Sequence, residues 1–134
     1  MPVGRRWLAI VACVALTGCA AGEDPAVRPA QEARSAVLVA QQATRLQLER
    51  RSTTPFTQVV LSDTLDAVGD AEQELRDAAS DPARTARART VLRDAEALID
   101  ELADAGAGRL TAADLDRLTD LVGRLDAALA ELRR

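Results

Sequence analysis

Apolar residues recur at three- and four-residue steps over most of the chain after residue 30, the spacing of a helix with one buried face. The strongest stretch is the last. Leu115, Leu118, Val122, Leu125, Leu129 and Leu132 alternate steps of three and four, a narrow coiled-coil-like seam. Thr111 stands at its start as an N-cap, with Asp114 three residues on, a short-armed capping box, and Leu110 and Leu115 at the positions of a hydrophobic staple. A third helix is predicted from about Pro82 to Ala105, with Ala88, Val91, Ala95, Leu98 and Leu102 on one face and Leu92 and Ile99 beside them. It stops at the glycines of residues 106 to 108. A second runs from about Pro55 to Ala79, with Leu61, Leu65, Val68, Leu75 and Ala79 in a heptad-like stripe, Glu72 as its one polar step, and Val60 and Phe56 extending it backwards. The first, from about Pro29 to Arg51, carries a thin stripe: Ala33, Val37, Ala40, Thr44 and Leu48, with Ala36 and Ala43 alongside.

The breaks are chemically marked. Thr54-Pro55 and Ser80-Asp81-Pro82 each place a capping side chain before a proline that fits the first turn of a helix. Four helices of similar length joined by short connections predict an all-α fold, an antiparallel up-down four-helix bundle over residues 30–134. The alternative is a three-helix bundle with a loose first helix, because that helix has little to bury. No 34-residue repeat supports a TPR-like array. Glu74 and Asp77, late in the second helix, are expected to face Arg84, Arg87 and Arg89, early in the third, across their hairpin.

Composition agrees with helices. The chain is 48% hydrophobic but 1% aromatic, with one Trp, one Phe and no Tyr, so its apolar residues are mostly helix-forming Ala and Leu with some Val. It has no His, and all 17 basic residues are Arg, a bias that suggests a GC-rich genome.

The first 18 residues follow a different pattern. Arg5 and Arg6 precede the uninterrupted apolar run Trp7 to Leu16, and small residues follow. This is the anatomy of a secretory signal peptide. Ten apolar residues span about 15 Å as a helix, half of a bilayer core, so the run is too short for a permanent anchor. Leu16-Thr17-Gly18-Cys19 resembles the lipobox of bacterial lipoproteins. The resemblance implies that the Cys19 thiol is joined to diacylglycerol and that residues 1–18 are cleaved, leaving Cys19 as the new N-terminus. Two or more acyl chains hold a membrane stably where one holds it marginally. Cys13 would leave with the leader, so no disulfide is expected. Arg5-Arg6 also invites a twin-arginine reading, which the flanking residues match weakly, so general export is preferred. Residues 19–29, with two prolines and a glycine, read as the lipidated Cys and a flexible tether. The whole chain is similar to small lipoproteins of actinobacteria, a likeness that includes residues 59–68, V-V-L-S-D-T-L-D-A-V. The expected location is therefore the extracytoplasmic side of the cell membrane.

Charge narrows the partners. Without Arg5 and Arg6, 15 Arg stand against 21 acids, a balance of −6. An acidic domain is a poor ligand for nucleic acid and for anionic lipid, so the membrane is expected to be held only through the lipid anchor. The chemistry is sparse. Lacking His and Lys, and with Cys19 committed to lipid, the chain has no imidazole base, no Schiff-base amine and no thiol nucleophile. No catalytic residue, cofactor site or metal site is assigned. Asp63, Asp66, Asp70, Glu74 and Asp77 recur at helical spacing and could line up for a hard cation, but a solvated helix face explains them better. Arg45, Arg50 and Arg51 could grip a phosphate or an acidic partner, though a cationic helix C-terminus accounts for them. Phe56 is expected to plug the core. The sequence thus predicts a non-enzymatic interaction or scaffold module of the cell envelope that engages a protein partner. The alternative is an envelope protein that binds a small ligand or a cation.

Overall fold

The computed structural model describes residues 24–78 and 81–134, which form four α-helices. They are α1 (Val27–Leu48), α2 (Thr54–Ala78), α3 (Pro82–Ala105) and α4 (Ala112–Leu132), with a single 3-10 turn at Ala107–Arg109 before α4. Their lengths of 22, 25, 24 and 21 residues correspond to roughly 32–38 Å each. The connections are short, so successive helices run antiparallel. Successive helices pack against each other, and α4 closes the square against α1, while the diagonal pairs meet little. The architecture is an up-down four-helix bundle.

The caps explain where the helices begin and end. The Thr111 hydroxyl accepts from the Asp114 backbone N–H, and the Asp114 carboxylate accepts from the Thr111 N–H, completing the capping box of α4. Asp81 caps α3 by accepting from the N–H groups of Ala83 and Arg84 at 3.1 and 3.3 Å. Helix α2 starts one residue earlier than Pro55, so Thr53, not Thr54, takes the cap position: its hydroxyl accepts from the Phe56 N–H. Helix α1 ends in a Schellman motif, in which the Arg51 N–H donates to the Leu46 carbonyl at 2.7 Å and the Arg50 N–H to the Gln47 carbonyl at 2.9 Å. The left-handed residue this motif requires is Arg50, with φ 58°, where glycine is usual. Gly106 ends α3 with φ 92°.

The first helix corrects two expectations. It begins at Val27 instead of Pro29, and Ala26, Val27, Pro29 and Ala30 are buried, so the end of the segment expected to be tether belongs to the core. The helix is also fully docked. Ala33, Val37, Ala40 and Thr44 are 0% exposed, which sets aside the three-helix alternative. A stripe of small residues lets a neighbouring backbone approach closely. Thr64 on α2 shows the result: its hydroxyl shares a proton between its own Val60 carbonyl (2.7 Å) and the Ala36 carbonyl of α1 (3.3 Å). Facing this slim helix, α4 fills space with Leu118, Leu121, Leu125 and Leu132, all nearly fully buried. Leu121 and Ala128 join the buried face of α4, making it wider than the narrow seam expected, while Leu115 is only half-buried.

The buried threonines are satisfied locally, whereas Gln47 Oε1 and Arg89 Nε are buried without a hydrogen-bond partner among the described residues. The buried hydroxyls of Thr44, Thr57, Thr64 and Thr85 each donate to the carbonyl four residues earlier, so their burial leaves no orphan. Glu72, the polar step in the α2 stripe, has a nearly buried side chain held by Arg76 at 2.8 Å and by Arg93 of α3 at 3.5 Å. At the end of the bundle that carries the α3–α4 turn, two glutamines fasten the connection. Gln58 of α2 donates to the Ala103 carbonyl at 2.9 Å and accepts from the Ala107 N–H at 2.8 Å. Gln47 of α1 donates to the Ala107 carbonyl. One carbonyl of the last turn of α3 is thereby paired from α2, and the N–H and C=O of Ala107 in the following turn are paired from α2 and α1.

The expected ion pairing of Glu74 and Asp77 with Arg84, Arg87 and Arg89 across the α2–α3 hairpin does not occur. Arg89 forms no ion pair among the described residues, and its Nε is buried without a partner, while Arg84 and Arg87 find other partners. Both turn to the far side of α3. Arg84 donates to the Leu132 carbonyl at 2.6 Å and lies 3.4 Å from Asp24, and Arg87 meets Glu131 at 3.3 Å. Arg84 caps a carbonyl at the negative dipole end of α4 and Arg87 pairs with the Glu131 carboxylate there, a better electrostatic environment than the solvated acids on α2. They also open a ladder. Arg87, Asp94 and Glu101 follow one another at heptad spacing on α3, and they meet Glu131, Arg124 and Arg117 on α4. A slip of one heptad in either direction would set Arg87 against Arg124 or Asp94 against Glu131. Exposed ion pairs add only about 0–1 kcal/mol each, so their effect is on register more than on stability.

Candidate interaction surface

Helix α2 carries more apolar positions than its core face uses. Leu61, Val68, Ala71 and Leu75 point inward. Phe56, Val60 and Ala67, spaced by four and seven residues with Asp63 between the latter two, form a second stripe turned toward α1. On α1, Ala36 and Val39 face this stripe. Together Ala36, Val39, Val60, Asp63, Thr64 and Ala67 line an open groove of about 250 Å³. Its floor is apolar and its one charged side chain is Asp63.

Among the described residues the exposed large hydrophobic side chains are Val39 (56%), Leu48 (37%), Phe56 (55%) and Val59 (58%). Val39 lines the groove; Phe56 continues its apolar stripe, and Val59 lies beside Phe56 on the outer shoulder of α2. This corrects the expectation for Phe56. The core beside the start of α2 is filled by Thr57 and Leu61, and the one phenylalanine of the chain stays in solvent.

The acidic residues of α2 flank the same face. Asp63, Asp66, Asp70, Glu74 and Asp77 are all exposed. Asp77 accepts from Gln73 at 3.0 Å, and Glu74 helps to raise the pKa of Arg28, whose larger partner is the hydrogen-bonded Glu32. Asp63, Asp66 and Asp70 form no ion pair among the described residues. Nor do any three carboxylates, Cys or His there lie close enough to hold a metal ion. The stripe is a solvated wall beside an apolar floor.

Two other grooves are larger and differ in chemistry. The α3–α4 groove, about 480 Å³, has Leu98 and Leu121 as apolar lining but is bordered by the Asp94–Arg124 pair and by Arg117. Arg117 donates to both Glu101 oxygens, at 2.9 and 2.7 Å; these hydrogen bonds, more than charge alone, hold the Glu101 carboxyl below the ordinary glutamate range and raise Arg117 in turn. The α2–α3 groove, about 390 Å³, is lined by Leu65, Arg93, Glu96, Ala97 and Asp100. Arg93, Asp94, Arg117 and Arg124 are engaged in ion pairs between helices, and each groove carries both signs of charge.

The remaining sequence-predicted residues are placed as follows. Arg45, Arg50 and Arg51 sit at the C-terminus of α1, where Arg50 and Arg51 close the helix through their backbone and Arg51 lies 3.5 Å from Glu49. They do not converge on a common point with a second element. Cys19 and the preceding leader lie outside the described residues. Among the described residues no helix is long and apolar enough to cross a membrane. The exposed stripe was the feature missed: the spacing of Phe56, Val60, Asp63 and Ala67 was visible in the sequence, but it merges with the core stripe one residue away until the helix is oriented. No protein-family model, curated protein or solved structure matches this chain.

Proposed function

We propose that this protein is a lipid-anchored module of the bacterial cell envelope that acts by binding another protein, without catalysis. The observation that carries the interaction reading is the pair of exposed apolar side chains Val39 and Phe56 on either side of the half-buried Val60, beside a groove with an apolar floor. The lipid anchor rests on Leu16-Thr17-Gly18-Cys19 behind its apolar run and basic pair. The absence of His and Lys from the chain supports a non-enzymatic role. The bundle fits that role as a rigid stem, with helix faces over 30 Å long and its charged ladder between α3 and α4 already paired internally.

The anchor is tested by growing cells with a radioactive or alkyne-tagged palmitate and fractionating them. The wild type is expected to carry label and to sediment with membranes; Cys19→Ala is expected to lose both. A variant that stays membrane-bound, beside a wild type without label, would overturn the anchor.

A further inference from the structure

We propose that the α1–α2 groove receives a helix of a partner protein whose apolar face is edged with basic residues. The inference rests on the interaction reading above and specifies its surface and the chemistry of its partner. The strip from Phe56 to Ala67 runs about 16 Å along α2, three helical turns, which matches an amphipathic helix laid into a groove with anchors at i, i+4 and i+7. Val39 and Val60 supply the floor, and Phe56, more than half exposed, stands at one end as the aromatic residue that an apolar partner face would cover.

Charge selects the partner. Asp63 lies in the groove, and Asp66 and Asp70 stand on the shoulder of the same helix, exposed and without an ion pair among the described residues. On α3 and α4, Asp94, Glu101 and Glu131 are each matched by an Arg. Although Glu96, Asp100, Asp116 and Asp120 form no ion pair among the described residues, the grooves they line also carry Arg93, Arg117 and Arg124, whereas Asp63 is the one charged side chain in the α1–α2 groove. The α2 carboxylates repel an anionic lipid surface and attract a Lys- or Arg-edged helix, raising its association rate and fixing its direction.

The test uses the full chain with Cys19→Ala, so that the surface is measured without the lipid, and two synthetic 18-residue helical peptides. Both carry the same Leu face; one is flanked by Lys and the other by Glu. In fluorescence anisotropy the Lys peptide is expected to bind at least tenfold tighter, with NMR shifts centred on Val39, Phe56 and Val60. Phe56→Ala is expected to weaken binding about tenfold with an unchanged circular dichroism spectrum. Asp63→Lys combined with Asp66→Lys and Asp70→Lys should reverse the preference. The same change of charge at Asp100, Asp116 and Asp120 should leave the order intact, separating the groove from overall charge. Equal binding of both peptides, shifts centred on α3–α4, reversal by the control triple, self-association that buries Phe56, or stronger binding to phosphatidylglycerol vesicles than to the Lys peptide would each overturn the proposal. Palmitate labelling tests the anchor separately, so failure of one leaves the other standing on its own result.

Discussion

Helices α1 and α4 lie side by side and are buried to a similar degree, yet they are built from opposite materials. The inward residues of α4 are mainly leucines; those of α1 are four alanines with Val27, Pro29, Val37 and Thr44. Helix α4 opens with a complete capping box, whereas α1 has no side-chain N-cap and closes on an arginine in a left-handed conformation. Three polar links join them along their length: Gln31 with Arg133, Arg34 with Asp126, and Gln41 with Thr119. The contrast shows that a weak apolar stripe is not a weakly docked helix. A small-residue face gains its contacts through proximity, and a large-residue face through volume; each needs the other.

The comparison can be broken most forcefully on α4. Leu125→Ala removes a side chain that is 1% exposed and is expected to destabilise the fold by about 2–5 kcal/mol, read as a fall in the urea midpoint at constant m-value. On α1 the sensitive direction is the reverse. Ala40→Leu forces bulk into a fully buried site and is expected to cost about 1–3 kcal/mol, where an alanine on a solvated face would tolerate leucine within a few tenths. If Ala40→Leu proves neutral in the same urea experiment, α1 is not closely docked and the contrast fails.

A smaller effect sharpens the difference between the helix ends. Arg50→Gly is expected to stabilise the protein by up to about 1 kcal/mol, since glycine takes the left-handed conformation freely, although its flexible unfolded state offsets part of the gain. Thermal denaturation would show it as a rise in Tm. The smallest effect concerns the ladder that holds α4 to its other neighbour. Because the Glu101 pKa is lowered by Arg117, its contribution is fully present above the ordinary glutamate pKa and is lost as pH falls through the lowered value. The stability difference between wild type and Glu101→Gln should therefore be largest near neutral pH and shrink toward zero in acid. A difference that persists unchanged at low pH would show that the pair is not electrostatic in origin.

How far the candidate surface could be read in advance follows from the same physics. Leu118, Val122, Leu125, Leu129 and Leu132 declare their burial because few solvated faces carry so regular a row of large aliphatic residues. Ala33 and Ala40 do not, because alanine is a good helix former on any face. Phe56 misleads in the other direction: an aromatic near a helix start invites a core assignment, but one step of about 100° separates it from the buried Thr57. Sequence order matches Arg84 and Arg87 to the acids of the adjacent hairpin, whereas the C-terminal end of α4, which they meet, comes close only once the bundle closes. The Gln47 and Gln58 clamps have no local signature; each acts on Ala107, far along the chain.

The sequence by itself determined that the chain forms four helices, where three of their breaks fall, and that their connections are short enough for an antiparallel bundle. Periodicity, capping side chains, proline and glycine act over a few residues, so they are legible residue by residue. Tertiary structure alone decided that α1 is an integral wall, which acids the arginines of α3 meet, and that Phe56, Val39 and Val60 share one open face with unpaired carboxylates beside it. Those outcomes depend on the rotation of each helix about its axis, and that rotation is fixed only when all four apolar faces compete for the same core.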